Sequence, residues 1–565
     1  MPLPAPVIRM VRAFMTRKYT ARLTSPVTKP QAAASAAAPA PSPWSALRYP
    51  VFRWLWIATV VSNVGGWMYS AASGWLMTSL SADPLIVSLV QVATTLPLFL
   101  FGLPAGALAD MVDRRRLILA LEILTSIFSA VFALLIALQY VNPQLLLFFT
   151  FLLGTLSALE TPAWQAIVPQ LVPKPALASA VAVNSLGVNI SRVIGPALAG
   201  VLILSAGIAM PFWLDAVSNA GVIAVILWWR PAARPAHALP AERLLSAIRI
   251  GVRYARYDRQ LRATLIRAAG FFLFASAYWA LLPVLARTQL HGGPTLYGVL
   301  LGTIGAGSIA GAFAMPRIHR RLGPDGLVVC GGLATALAMM LFGLARTAPL
   351  AVLACLVAGF GWICALATLN VSAQAALPEW VRGRGLAIYV TVFFGTLSVG
   401  SLLWGFVANR LGLPPALLIA AAGALVMVPL TQRWKLRSGP AADLTPSMHW
   451  PEPVRAESIE NDAGPVLVTL RYQVAARNRA AFLKAVRPLE RQRRRGGAYA
   501  WAIFEDAAQA DVFLEIFLAD SWLEHLRQHE HVTQADRAVQ DRVISLAEAP
   551  PHVTHLVAAQ LPEGR

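Results

Sequence analysis

Two stretches a little over two hundred residues apart carry one pattern: Gly106-Ala107-Leu108-Ala109-Asp110-Met111-Val112-Asp113-Arg114-Arg115-Arg116, and Gly311-Ala312-Phe313-Ala314-Met315-Pro316-Arg317-Ile318-His319-Arg320-Arg321. Each follows one long apolar run and precedes another. Two more matches keep the same order. Gln165-Ala166-Ile167-Val168-Pro169 recurs as Gln374-Ala375-Ala376-Leu377-Pro378, and Gly195-Pro196-Ala197-Leu198-Ala199-Gly200 recurs as Gly400-Ser401-Leu402-Leu403-Trp404-Gly405. A chain built this way is a duplicated unit, and apolar runs flanking every copy place the unit in a membrane.

Hydrophobic residues make up 57% of the chain and charged ones 13%, with mean hydropathy +0.60, which excludes a soluble globular protein of this length. A bilayer core of about 30 Å needs roughly 20 apolar residues per helix. Twelve runs qualify, near 54–78, 85–109, 117–139, 145–168, 179–206, 209–229, 264–286, 294–315, 326–345, 348–372, 385–408 and 414–431. Helix breakers or charges separate them, as at Asp83-Pro84, Asn142-Pro143, Pro173-Lys174-Pro175 and Leu413-Pro414-Pro415.

The net charge of +20 could suggest nucleic acid, but its distribution excludes that reading. Segments after even-numbered runs hold 17 Lys and Arg, and those after odd-numbered runs hold three, Arg287, Arg346 and Arg410. This bias predicts both termini in the cytoplasm. The first 50 residues, basic and then Ala/Pro-rich from Gln31 to Pro43, carry no signal-peptide core and read as a flexible lead-in. Cys330, Cys355 and Cys364 all fall inside apolar runs, so neither a disulfide framework nor a CxxC metal site is expected.

The expected organisation is a basic segment 1–50, a six-helix bundle 51–230, a cytoplasmic joining stretch 231–262, a second six-helix bundle 263–432, a linker 433–463 and a small domain 464–560. Six helices repeated as six in the same orientation imply two bundles related by an axis along the membrane normal.

These residues resemble the major facilitator superfamily from about residue 50 to 435. Gly106 to Arg116 is similar to the signature loop between that superfamily's second and third helices, and Gly195 to Gly200 to the fifth-helix motif of its antiporters. Pro162-Ala163 through Pro169, Asn184, Arg192, Gly195-Pro196 and Gly200 resemble, more narrowly, the branch that holds the enterobactin exporter, the transmembrane secretion effectors. Departures from the pattern are Met111 and Asp113 for a usual Arg and Gly, and Met315 for the acid of the second copy, so the second loop is expected to be the weaker latch.

Gly106 admits a close helix approach at the membrane face, and Asp110 can meet a neighbouring helix N-terminus or an arginine. With Arg114, Arg115 and Arg116 they form an expected conformational latch, although topology determination alone also accounts for the three arginines. The fifth-run motif, Asn184, Arg192, Gly195, Pro196 and Gly200, is expected to bend its helix and pack tightly against the other half.

Among ionisable residues inside the runs, Glu122, Asp215 and Arg267 lie near span ends, where snorkelling suffices. Glu160 and Arg192 lie deeper, on adjacent helices, and form the expected proton-coupling pair, a static ion pair being the alternative. The superfamily's usual fourth-helix arginine has no equivalent in 145–168, so by that resemblance Arg192 stands in for it. Asn63, Trp67, Tyr69, Trp75, Tyr278, Trp279, Tyr389 and Phe393 are expected to line a central cavity for a large amphipathic or aromatic substrate.

Beyond the linker, Val466 to Val474 alternates like a strand, 476–495 is a basic helix, Tyr499–Phe504 and Asp511–Leu518 read as strands, 520–546 is helical and 553–558 is a final strand. The order β-α-β-β-α-β fits a ferredoxin-like sandwich. The segment Ser521 to His531 resembles the tail of some members of this exporter branch, itself similar to the dimeric antibiotic-biosynthesis-monooxygenase fold, which makes dimerisation through this domain an expectation. His525 and His529, spaced i, i+4, with His531 or Glu515 nearby, could share a metal; a solvated or dimerising helix face is the reading taken, and no metal or cofactor is assigned.

The whole reads as a non-enzymatic secondary transporter of the bacterial inner membrane. It exports a small amphipathic molecule, drug-like or siderophore-like, against protons, and no phosphate loop GxxxxGK[ST] is present for ATP. A lipid or lysolipid transporter of the same fold, or a membrane-tethered oxidase or binding module acting through residues 465–560, are the alternatives.

Overall fold

The computed structural model describes residues 44–229, 244–436, 443–451, 453, 460 and 462–559. The lead-in up to residue 43 and the stretch 230–243 fall outside the described residues, as does the side chain of Asp110.

Helices α1 Pro50–Leu80, α2 Pro84–Met111, α3 Arg114–Ala137, α4 Pro143–Leu171, α5 Leu177–Ala206 and α6 Met210–Trp228 form a first group. A short amphipathic helix, α7 Leu244–Tyr257, leads into α8 Arg259–Val284, α9 Pro294–Leu344, α10 Ala348–Ala375, α11 Arg382–Leu411 and α12 Leu413–Thr431. Among the described residues ten helices, α2 to α6 and α8 to α12, are long and apolar enough to cross a membrane. The breaks read from the sequence act as caps. Asp83, Asp113, Asn142 and Asp258 each accept a backbone N–H of the following first turn at 2.7–2.8 Å. Proline sits in the first turn after Asp83 and after Asn142.

Helix α9 spans 51 residues where two runs are expected. The division survives as a kink: Gly323 takes φ 65°, ψ −172°, a backbone state that favours glycine, and Pro324 starts the next turn.

Helices approach closely through small residues. In the first group a Cβ on Gly187 would fall 2.7 Å from Val60, and one on Gly65 3.0 Å from the Asp215 backbone. In the second, Gly307 lies against the Leu356 carbonyl and Gly359 against that of Ile304. Ring clusters fill the space between, Tyr69, Phe132, Phe149 and Phe212 on one side and Phe272, Trp362 and Phe393 on the other.

The two groups meet at one end. Helix α5 crosses α9 where Gly200 faces Gly298, and α2 runs along α11 from Ser88 against Gly405, through Thr95 hydrogen-bonded to Ser398 at 2.7 Å, to Phe99 against Gly395. Arg287 bonds Ser79 at 2.8 Å and Asn409 bonds Asp83 at 2.5 Å across the same end. Toward the other end the described residues of α2 and α5 turn away from the opposite group. A Cβ on Gly102 or Gly106 would meet nothing within 4 Å, and Ala182, Leu186 and Asn189, which continue the α5 face carrying Val193 and Gly200, are exposed.

At the open end sits a four-stranded antiparallel sheet ordered β2-β3-β1-β4, with β1 Val466–Gln473, β2 Ala500–Glu505, β3 Val512–Ala519 and β4 His552–Val557. Helix α13 Arg479–Gly496 packs Phe482, Val486 and Leu489 on it. The run expected as one helix over 520–546 is two, α14 Trp522–His531 and α15 Gln534–Ile544, because Thr533 ends one and caps the other in a capping box with Asp536. Part of the expected linker also lies on this unit: Ser447 N–H donates to the Val532 carbonyl at 2.8 Å and Trp450 Nε1 to Gln540 at 2.8 Å.

Candidate functional site

The intramembrane charges are not distributed as the sequence suggests. Glu122, Asp215 and Arg267, expected to snorkel, are all buried. Each sits on a helix face that the bundle covers rather than one turned to lipid. Asp215 accepts from Ser129 Oγ at 2.6 Å, and Arg267 pairs with Asp325, which also accepts from the Leu436 N–H at 3.0 Å.

Glu160 does not pair with Arg192. Its side chain lies close to that of Glu122 on α3, and its hydrogen-bond donor is Trp164 Nε1, at 2.5 Å from one turn along α4. Antiparallel geometry explains the meeting. Glu122 lies eight residues after the start of α3 and Glu160 eleven before the end of α4, so at 1.5 Å per residue both stand roughly 12–16 Å from the same end. Counting rise from the two loops was the signal available in the sequence, and Glu122 was the residue missed.

Arg192 instead faces α1. Its guanidinium lies 5.3 Å from the Trp67 ring centroid, and its buried Nε has no hydrogen-bond partner among the described residues. Tyr278 of the opposite group lies within its electrostatic reach. Trp67 and Asn63 are half-buried on α1 beside it.

The remaining expected cavity residues divide. Tyr69 is packed edge-on against Phe212 in the first group's core, and Trp75 is buried, stacked on Tyr297 with Arg287 over it. Tyr278 and Tyr389 are buried, their hydroxyls without a partner among the described residues, and Trp279 Nε1 is likewise unpaired. Trp279, Trp362 and Phe393 form one aromatic cluster, with Trp279 5.3 Å from Trp362. Arg192 and Trp67 thus meet within the first group, Trp75 meets Tyr297 of the opposite group, Trp279 and Phe393 belong to the second group's aromatic cluster, and Tyr69 to the first group's core.

Of the motif residues, Arg115 donates to the Ile226 and Leu227 carbonyls at 2.9 and 3.0 Å, capping the end of α6, and Arg114 Nε donates to Ala109 at 3.2 Å. Arg116 donates its backbone N–H to Asp113. Gly195 packs on α1, where a Cβ would fall 2.5 Å from that of Trp67. Gly200 packs on the opposite group, 2.7 Å from the Pro294 carbonyl by the same measure, and Asn184 is half-buried.

Residues 41–563 match the family described as transmembrane secretion effector. The chain belongs to that family. Curated relatives of this transmembrane secretion effector include the staphyloferrin A transporter of Staphylococcus aureus, 26% identical over 62% of this chain and 87% of that protein. The multidrug efflux pump Tap of Mycolicibacterium fortuitum is 24% identical over 66% and 92%. The enterobactin exporter EntS of Citrobacter koseri is 26% identical over 63% and 85%. The fold is also that of a bacterial homologue of the lysosomal transporter Spinster in an inward-facing state, with TM-score 0.53, 15% identity and coverage of 68% of this chain and 96% of that one. This transmembrane secretion effector is accordingly a multi-pass membrane transporter of the major facilitator superfamily, not an enzyme.

Proposed function

We propose that this chain is a proton-coupled exporter of small amphipathic molecules, of the drug or siderophore class, working by alternating access through twelve spans. Ten apolar helices, the 31-residue α1 beside them and the kink of α9 at Gly323 support that count. The Lys and Arg bias supports both termini in the cytoplasm of a bacterial inner membrane, which makes the closed end of the bundle external and this conformation inward-facing. The strand order β2-β3-β1-β4 supports a ferredoxin-like C-terminal domain.

The observation that carries the reading is the pairing of buried Glu122 with half-buried Glu160 in a bundle whose two groups pack together at one end. Two carboxyls so placed, with no cation paired to either among the described residues, are the groups this reading assigns to carry the proton. Rocking the helices that carry them against their neighbours changes their separation and solvent access, so proton uptake and release are tied to conformation. Arg192 over Trp67, with Tyr278 and Trp279 of the second group, supplies a cation, aromatic faces and donors without a partner among the described residues, suited to an amphipathic acceptor-rich substrate. Asp110, Gly106, Arg114, Arg115 and Arg116 form the latch that closes the open end in the alternate state.

The test is substrate-driven proton movement in proteoliposomes, with an intercalating dye or siderophore as substrate. Glu160→Gln and Glu122→Gln each should abolish coupling at unchanged protein abundance. Coupled flux surviving in both single variants and in the double variant would remove the pair from the mechanism.

A further inference from the structure

The helix–sheet interior of the C-terminal domain holds a histidine cluster that the transport mechanism does not use. His525 and His529 stand one turn apart on α14, and His555 comes from β4, the last strand of the domain. One ligand nitrogen from each ring lies within 4.8 Å of the others, and the Nε2 atoms of His525 and His529 are 3.3 Å apart. The sequence pattern pointed to the first two residues but offered the wrong third partner. His531 leaves the cluster to stack on Trp380, and Glu515 is consumed by Arg493 at 3.0 Å, Tyr472 at 2.9 Å and Trp501 at 3.0 Å.

The surroundings fix how the rings present themselves. His525, 1% exposed, has Nδ1 3.3 Å from Gln528 Oε1, a carboxamide oxygen that can only accept. Nδ1 therefore carries the hydrogen, and the Nε2 lone pair of a neutral ring points at His529. Only one proton fits between two nitrogens 3.3 Å apart, and no carboxylate belongs to the cluster to hold a second. Trp522 flanks both His525 and His555 at 5.8 and 5.9 Å between centroids, and Trp450 meets His529 edge-on at 4.9 Å. These rings fix the imidazoles, while His529 and His555 stay half-buried and leave an approach from solvent. The nearest guanidinium, Arg493, has its charge matched by Glu515.

We infer that His525, His529 and His555 form a binding site for a late first-row divalent cation, zinc being the reference ion. Three imidazoles without a hard oxygen ligand select against magnesium and calcium, and a helical i, i+4 pair plus one strand residue is a geometry that a tetrahedral ion accepts with its fourth position open. Gln528 is the outer partner that holds the His525 tautomer. His529 need only shift its hydrogen to Nδ1, so metal entry releases no proton from the site. Binding would tie β4, the edge strand paired with β1, to the helix that docks the domain on the bundle.

The full chain, in detergent micelles with any affinity tag removed and stripped by a chelator, is titrated with zinc by calorimetry and with cobalt by visible absorption. One ion per chain is expected, with the intense d–d bands of four-coordinate cobalt and a raised unfolding temperature for the soluble domain. His529→Ala and His555→Gln should each weaken zinc at least about tenfold, whereas His552→Ala, an exposed residue of the same strand, should not. Absence of stoichiometric zinc binding, a six-coordinate cobalt spectrum, or affinity unchanged in the His525→Ala/His529→Ala/His555→Ala variant overturns the assignment. Because the cobalt spectrum is read on the unmutated protein, a variant that fails to fold leaves the inference testable.

Discussion

Two groupings of ionisable side chains inside this molecule are built on opposite principles. In the C-terminal domain Arg493 and Glu515 lie 3.0 Å apart, both almost wholly buried, and Glu515 receives two further donors from Tyr472 and Trp501. Charge and hydrogen-bonding capacity are matched there without any external ion. In the membrane bundle Glu122 faces Glu160, acid against acid, with Trp164 as the single donor to either carboxyl among the described residues and the nearby Asp215 engaged by Ser129. The first grouping is complete in one protonation state and so serves the fold. The second is complete only when a proton is supplied, which suits a group that must take one up and let it go.

Substitution separates the two most sharply. Removing one acid from the pair, Glu160→Gln, should drop substrate-driven proton movement to the leak rate and leave thermal unfolding of the detergent-solubilised protein unchanged or slightly raised, since a neutral amide facing Glu122 can both donate to it and accept from Trp164. Arg493→Met does the reverse. It strands Glu515 in the domain core and should destabilise the domain by about 3–5 kcal/mol, seen as an earlier unfolding transition and proteolysis of residues beyond 462, while vesicle transport at low temperature persists. If Arg493→Met were silent and Glu160→Gln unfolded the protein, the contrast would be inverted.

The bundle was far more legible in the sequence than the acid pair. Apolar runs, the caps at Asp83 and Asn142 and the duplicated motifs located the helices because each signal is local, set by hydropathy and by the residue that satisfies the first free N–H groups. The strand and helix order of the tail was legible through alternation, except at Thr533, where a capping box splits one expected helix. What escaped was everything decided by the azimuth of a helix. Hydropathy says that Glu122 lies in a span but not that α4 covers it, and adjacency of the spans carrying Glu160 and Arg192 does not say which way either side chain turns. His555 was invisible for a related reason, since it joins His525 only after the sheet pairs β4 with β1.

A smaller effect lies where domain and bundle touch. His531 stacks on Trp380 with ring centroids 3.8 Å apart and planes 6° apart, while Arg253 bridges to Glu524 at 3.0 Å and Arg495 to Asp258 at 3.3 Å. Burial, then the positive charges of Arg384, Arg527 and Arg253, push the His531 imidazole down to about 4 from an ordinary 6.5. The folded, docked state therefore binds fewer protons than the free one between those values. Docking is at full strength above pH 6.5 and weakens as pH falls toward 4, by roughly 1–2 kcal/mol at pH 5 after screening. Hydrogen exchange in α14 of metal-free protein should rise between pH 7 and pH 5, and His531→Phe should flatten that rise. Exchange that is pH-independent once corrected for intrinsic rates would show that His531 does not titrate with docking.

The smallest effect on stability is expected at the latch glycine, and the two ends of the bundle explain why. At the closed end Gly200 has no room: a Cβ there would sit 2.7 Å from the Pro294 carbonyl and 3.1 Å from Thr295 Cα, so Gly200→Leu should cost about 1–3 kcal/mol through overpacking and open that end to cysteine labelling. Gly106, at the open end, is free of such contact, and a Cβ there meets nothing within 4 Å. Gly106→Ala should leave the stability of this conformation within about 0.5 kcal/mol, or raise it slightly by helix propensity. Transport nevertheless should slow, because the missing hydrogen is needed only when the open end closes and another helix arrives at that surface. The measurement is labelling of a cysteine placed at Asn189 with and without substrate: in wild type substrate should protect it, and in Gly106→Ala protection should be reduced at equal thermal stability. Full protection and normal flux in the alanine variant would mean that Gly106 is a packing residue of the helix end and that closure is latched elsewhere.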